Sequence, residues 1–442
     1  MLLLISSSKM NLKRYLTSLV GVYLIAGSLM AQDTLRLTRV ESEAIFLKEN
    51  LNLLAEKLEI PQAEAMVLQA SLWPNPNFTL DQVNFWATDK QRGGQEVSPP
   101  FFGNVGRNLQ VGIEVEQLIQ TAGKRKKLMA LEQVGVDKAK QYFEDLLRNL
   151  KLELRAELTN IQYLQLRKAT FINQVSSVKQ LTETYNRQVA AGNLPKAEFV
   201  RLKALELELL KNISDLDKDI NESQKTVKQL LHIPAATFVI IDTADYWQLM
   251  NTAELPAVLD LVDQGKQNRP DYHLANLDID YNNKLYTYEK AQKVPDLVLK
   301  GMYDRNGSTM LNFVGFGVAM DLPFFNKNQG NIKAAKIGVE QSKIRLKSAT
   351  HGLETEIVLA YQNLANALNF QNQIEASYET GLDDLLKSYT KNFTNRNISL
   401  LEYLDFLEAY LENKKIIMEA AKDISEKKEE LSFAVGKDIF NK

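Results

Sequence analysis

The chain has no cysteine and only three histidines among its 442 residues. The first absence excludes disulfides, thiolate metal sites and lipid attachment through a cysteine. The histidines, His232, His273 and His351, are scattered and carry no metal-ligand spacing, so no metal site is expected. Charge of one sign is also lacking. Fifty-three basic and 55 acidic residues leave a formal net charge of −2, which gives no support for nucleic-acid binding. No nucleophile–base motif, phosphate loop or pair of catalytic acids stands out, so neither an enzyme nor a cofactor is expected. Beyond the first 31 residues no segment is apolar enough for a transmembrane helix. If the chain enters a membrane after that point, it must do so as β-structure.

The N-terminus carries Lys9, Lys13 and Arg14 ahead of an uncharged run from Tyr15 to Ala31. This reads as the basic and apolar regions of an export signal, cut after Ser28 or Ala31. The alternative is a membrane anchor, for which about 17 residues is slightly short.

The sequence says nearly everything twice. Tyr185 to Glu198 reappears as Tyr389 to Glu402, Gly112–Glu116 as Gly317–Asp321, and Ala70–Pro74 as Ala291–Pro295. Three landmarks in the same order imply a duplicated unit too long for a solenoid repeat. The first unit is assigned to residues 32–240, with strands at about 75–122 and a helical hairpin at about 124–232. The second covers 241–442, with strands at about 295–325 and a hairpin at about 330–436.

Each unit opens on a helical stretch, Ser42–Leu72 or Ala257–Lys293, that ends near a proline, Pro74 or Pro295. The period then changes to two. Val111, Ile113 and Val115 alternate with Gly112, Glu114 and Glu116; Val314, Phe316, Val318 and Met320 alternate with Gly315, Gly317 and Ala319. That is a strand with one apolar face and one small or polar face. A change of face near Asp81-Gln82 predicts a bulge. Proline-free runs follow, Lys124–Ala190 and Asn331–Arg396. Each predicts a helix on the order of 100 Å long. Such helices need coiled-coil support, and Leu202, Leu209, Leu216, Ile220 and Val227 supply a 3-4 spacing on the return limb, with Glu206 and Ser223 in its polar slots.

The fold class is therefore α+β, with four strands and four long helical limbs per chain. Four strands cannot close a membrane barrel, which needs about eight, and a lipid-exposed edge is not viable. Strands in a membrane would have to come from several copies of the chain. This arrangement resembles the TolC family of outer membrane efflux proteins over nearly all of the mature chain. The marks are Pro74-Asn-Pro76, Thr121-Ala-Gly-Lys-Arg125, Asn268-Arg-Pro-Asp271 and the two tip turns. The second mark is similar to the Gly-Gly-Lys-Arg stretch of the CzcC-like heavy-metal-efflux branch, with Ala122 departing from it. The resemblance implies a homotrimer with a 12-stranded outer-membrane barrel in lipid and a periplasmic helical tunnel. It also implies a periplasmic adaptor (membrane fusion) protein and an inner-membrane pump of the RND type as partners.

The family closes its pore at the helix tips. The matching acids are Glu402 and Asp405, three residues apart and so on one helical face. Glu198 and Arg201 are their first-unit counterparts. Gly192, Asn193, Leu194, Asn397 and Ile398 are the candidate adaptor contact; Leu194 and Ile398 either form an apolar crown or staple their own hairpins. Glu114, Glu116, Lys300, Asp304 and Asp321 are the candidate lumen-facing strand residues. Lys124, Arg125, Lys126 and Lys127 oppose the dipole of the helix they begin, and lipid headgroups or solvent are candidates to offset that cost. The competing readings are a periplasmic coiled-coil adaptor or structural protein, and the duct of a type I protein secretion system.

Overall fold

A computed structural model describes residues 33–84, 110–250, 255–305, 310, 312–374 and 378–440. The expected export signal lies outside the described residues, as do Leu109, expected to head the alternation of the second strand, Phe85, Trp86, Phe101 and Phe102, expected on or beside strands, and the strand-joining linkers expected at 88–104 and 306–309. The first half of the chain contains β1 (Thr34–Leu37), α1 (Arg39–Glu49), α2 (Leu51–Ser71), β2 (Asn77–Asn84), β3 (Gln110–Ile119), α3 (Lys124–Ala190) and α4 (Lys196–Leu231). The second contains β4 (Phe238–Ile241), a 3-10 turn (Tyr246–Met250), α5 (Val258–Asn268), α6 (Pro270–Gln292), β5 (Leu297–Arg305), β6 (Asn312–Met320), α7 (Gln329–Gln371), α8 (Tyr378–Thr394) and α9 (Leu400–Val435).

Both opening helical stretches are divided into two helices. Asn50 ends α1 and caps α2, accepting from the Leu53 N–H at 3.0 Å, while its amide donates to the Leu230 carbonyl of α4 at 2.8 Å. The side chain that restarts the helix therefore also fixes the bend to its neighbour. In the second half Arg269 sits at the break, and Pro270 opens α6 at the first helical position, where its missing N–H costs nothing.

The 67-residue α3 runs unbroken between the limits read from the sequence. It packs against α2, α4, α6 and α9. The heptad positions of α4 are buried as the spacing predicts: Leu202, Leu209, Leu216, Ile220, Val227 and Leu230. Of the two polar slots, Glu206 pairs with Lys203 at 2.8 Å and Ser223 accepts from Asn160 at 2.6 Å. The outgoing limb of the second hairpin differs from expectation. Helix α7 ends at Gln371, the N–H groups of Gln373 and Ile374 make tighter i→i+3 bonds to the Phe370 and Gln371 carbonyls, and α8 begins at Tyr378. Asn369, Gln371, Asn372 and Gln373 crowd this place, and asparagine side chains compete with the helix for backbone partners.

The four long strands form one antiparallel sheet in chain order, β2-β3-β5-β6. The register of β2 on β3 shifts between Asp81 and Asn84, where the change of face predicted a bulge. The sequence reading missed a second sheet, the parallel pair β1–β4. On the far edge of β4, Gln224 accepts from the Val239 N–H and Gln165 both donates to and accepts from Ile241. Glutamine side chains thus take the place of a third strand.

Candidate functional site

The register of the long sheet sorts its residues into two faces. Phe78, Val115, Gly301 and Phe316 form one cross-strand row, and Leu80, Ile113, Tyr303 and Val314 the next. These belong to an apolar face that is open: Phe316 is 90% exposed and Val318 66%, with Phe78, Leu80, Leu299 and Met320 at least half uncovered or nearly so. A continuous apolar patch of this kind marks a surface that meets lipid or protein.

The opposite face is polar. Asn77, Glu116, Lys300 and Gly317 make one row; Thr79, Glu114, Met302 and Gly315 the next; Asp81, Gly112, Asp304 and Phe313 the third. Four of the five lumen candidates thus share a face, and Asp321, just past β6, follows the same alternation. The Lys300 ammonium donates to Glu114 at 3.3 Å and to Glu116.

At the root of α3 three of the four basic residues find partners within the chain, while Lys126 is exposed. Lys124 is buried against Asp296 at 2.7 Å, and the same carboxylate accepts from the Thr121 N–H at 2.8 Å. Arg125 lies 4.1 Å over the Trp73 ring and donates to the Ser71 carbonyl, while Lys127 donates to the Ala122 carbonyl at 2.7 Å. Lys124, Arg125 and Lys127, whose charges oppose the helix dipole, are therefore offset by an aspartate, a ring face and backbone oxygens.

The two hairpin tips share one geometry. Gly192 and Arg396 both adopt left-handed backbone, at φ 79° and 61°. The N–H of Asn193 bonds the Gln188 carbonyl and that of Asn397 the Asn392 carbonyl, closing each helix with a Schellman-type turn. Asn193 and Asn397 are exposed; Leu194 and Ile398 are half-buried, and Ile398 packs against the hairpin core. Below the tips, Tyr185, Phe393 and Tyr403 stack in sequence, with centroids 5.4 and 4.7 Å apart, and tie the first hairpin to the second.

Glu402 is a capping residue. Its carboxylate accepts from the N–H and the hydroxyl of Ser399, both at 2.7 Å, while the Glu402 N–H donates to the Ser399 oxygen. The bond from the Ser399 backbone, then that from its hydroxyl, hold the carboxyl below the usual glutamate range. Asp405 is exposed one turn further on, Glu198 is half-buried near Tyr185, and Arg201 is exposed.

The sequence reading missed the ion clusters at the waist of the molecule. Arg155 of α3, 5% exposed, bonds Glu43 of α1 at 2.7 Å, Glu429 of α9 at 2.7 Å and Asp438 at 2.8 Å. Arg269 bonds Glu356 at 2.6 Å, Asp271 at 2.9 Å and the Ala434 carbonyl at 3.0 Å. An arginine centred on a helical core stripe was the available signal, since a guanidinium is buried only when paired.

A long paired-helix body ending in a two-faced meander is shared with solved structures. CusC, whose structures concern transmembrane channel formation, superposes with a TM-score of 0.68 at 16% identity, over 89% of this chain and 91% of that one. The fold is that of the TolC-family outer membrane channels. The Campylobacter jejuni CmeC outer membrane channel gives a TM-score of 0.69 at 14% identity, covering 90% of this chain and 86% of its own. In sequence, the cobalt-zinc-cadmium resistance protein CzcC of Cupriavidus metallidurans is 18% identical over 359 residues, 80% of this chain and 79% of that protein. No family model matches the sequence.

Proposed function

We propose that the chain is the outer-membrane exit duct of a tripartite efflux system, passively conducting cargo delivered by a periplasmic adaptor and an inner-membrane pump. The observation that carries this is the sheet. One face is apolar and open, the other is charged, and both edge strands, β2 and β6, lack a partner among the described residues. In lipid such edges must be paired. Three copies joined edge to edge give twelve strands around a polar lumen, with the paired helices continuing as a periplasmic tunnel. The likeness to CusC and CmeC supports the same assembly. CzcC's name makes cobalt, zinc and cadmium the first cargoes to test. The sheet opposes the adaptor reading, because an adaptor's strands would bury their apolar face in a protein core.

The pore would close at the hairpin tips. Glu402 and Asp405 would each form a ring of three carboxylates, with Glu198 and Arg201 on the alternating hairpins, and Gly192, Asn193, Leu194, Asn397 and Ile398 would meet the adaptor. Like charges drawn into a ring attract cations to the constriction. The assembly is tested by fractionation and native mass measurement; a soluble monomer would overturn it. The gate is tested by single-channel recording of Glu402→Ala with Asp405→Ala. Leak should rise and block by multivalent cations weaken; unchanged conductance and block would remove the assignment. Ser399→Ala, which removes the cap and keeps both acids, controls for loss of tip structure.

A further inference from the structure

We infer that Lys300 sets the ion preference of the barrel, acting as a counter-charge that masks two of its carboxylates. The inference rests on the duct reading, because it requires the polar face of the sheet to line the lumen. Among the described residues that face carries Asp81, Glu114, Glu116, Asp304 and Asp321 as acids and Lys300 as its single base. Lys300 stands directly opposite Glu116, one pair removed from Glu114, and its ammonium bonds both. All three side chains are 24–30% exposed, so the cluster is open to the lumen side rather than built into a core.

On its other flank the neighbour of Lys300 is Gly317, and Gly315 lies one pair further along β6. A Cβ placed at Gly317 would lie in ordinary contact with the Lys300 Cβ, at 3.7 Å. Neither glycine brings a side chain that could compete for the ammonium. On the β2 flank the neighbours are Asn77 and Thr79, which are uncharged. The local sum of the cluster is therefore one negative charge, from two carboxylates and one ammonium. Removing the ammonium doubles it. Neutralising both carboxylates reverses its sign. Trimer symmetry would repeat each change three times around one level of the barrel.

A wide lumen makes this preference depend on ionic strength. The field of wall charges reaches about 10 Å at 0.1 M salt, about 30 Å at 0.01 M and about 3 Å at 1 M. The charge ring should therefore govern permeation in dilute salt and be screened in concentrated salt.

The test is the reversal potential of the full-length protein in planar bilayers under a potassium chloride gradient, first in dilute and then in molar salt. Lys300→Met should shift it further toward the potassium equilibrium potential than the wild type. Glu114→Gln with Glu116→Gln should shift it toward the chloride potential, and both shifts should collapse in molar salt. Lys300→Arg keeps the charge and should behave as wild type, and Lys300→Gln replaces Lys300→Met should the latter fail to assemble. Conducting channels whose reversal potential is the same in all variants would overturn the role of Lys300 and leave the duct reading standing. A protein that inserts but never conducts, even with the tip opened by Glu402→Ala and Asp405→Ala, would overturn the duct reading and this inference together.

Discussion

The comparison of Gly192 with Arg396 isolates the cost of a single backbone conformation. Both residues close a helix in the left-handed region within the same hydrogen-bonded turn, but only glycine does so without a Cβ clash. Left-handed backbone costs a residue with a side chain about 1–2 kcal/mol. Glycine returns part of that through its freer unfolded chain. Arg396→Gly should therefore stabilise the second tip by about 0.5–1 kcal/mol, read as slower amide exchange across residues 389–403. Equal or faster exchange would show that the Arg396 side chain makes a compensating contact. Such positions are half legible: Gly192 announces its turn, whereas Arg396 was recognised only through alignment with the first copy.

Between elements, the decisive contacts are made at the waist. Val435 ends α9, Gly436 turns the chain at φ 76°, and a Cβ there would sit 3.1 Å from the Arg269 backbone. The turn delivers Asp438 to Arg155 and Lys151. Burial raises the Asp438 pKa, but the bonds from Arg155 and Lys151 outweigh it and leave the carboxyl below its ordinary value. A depressed carboxylate stabilises the fold above the unfolded pKa, about 3.9, and that contribution is lost as pH falls through the folded value. Residues 436–440 should accordingly lose exchange protection in acid below about pH 4, while the hairpin cores keep theirs. Arg155→Met should produce the same local loss at neutral pH; unchanged protection would show that the pairing of Asp438 with Arg155 does not hold residues 436–440 in place. The helices themselves were legible, because periodicity, caps and proline positions are local. The clusters centred on Arg155 and Arg269 were not, since the charged partners are up to 283 residues apart along the chain.

For the whole molecule, the apolar sheet face makes a direct prediction. A lysine on the lipid-facing side of a membrane barrel costs about 2–4 kcal/mol near the bilayer centre. Val318→Lys should reduce recovery from the outer membrane and lower the heat stability of the extracted oligomer while leaving the helical content unchanged. Gly317→Ala, one position away on the opposite face, should be tolerated, because its new Cβ meets only the Lys300 Cβ, at 3.7 Å. Equal sensitivity of the two positions would contradict the assignment of faces.

The sequence alone determined the limits of α3, the two faces of the long strands and the bulge near Asp81. Each of these follows from a period, a breaker or a cap acting over a few residues. The tertiary structure decided the rest: the bends at Asn50 and Arg269, the pairing of β1 with β4, the anchoring of Lys124 on Asp296, and the clustering of Lys300 with Glu114 and Glu116. These depend on partners brought together only by the folded chain. A side chain's type limits what it can bond, but only its neighbours in space decide what it does bond.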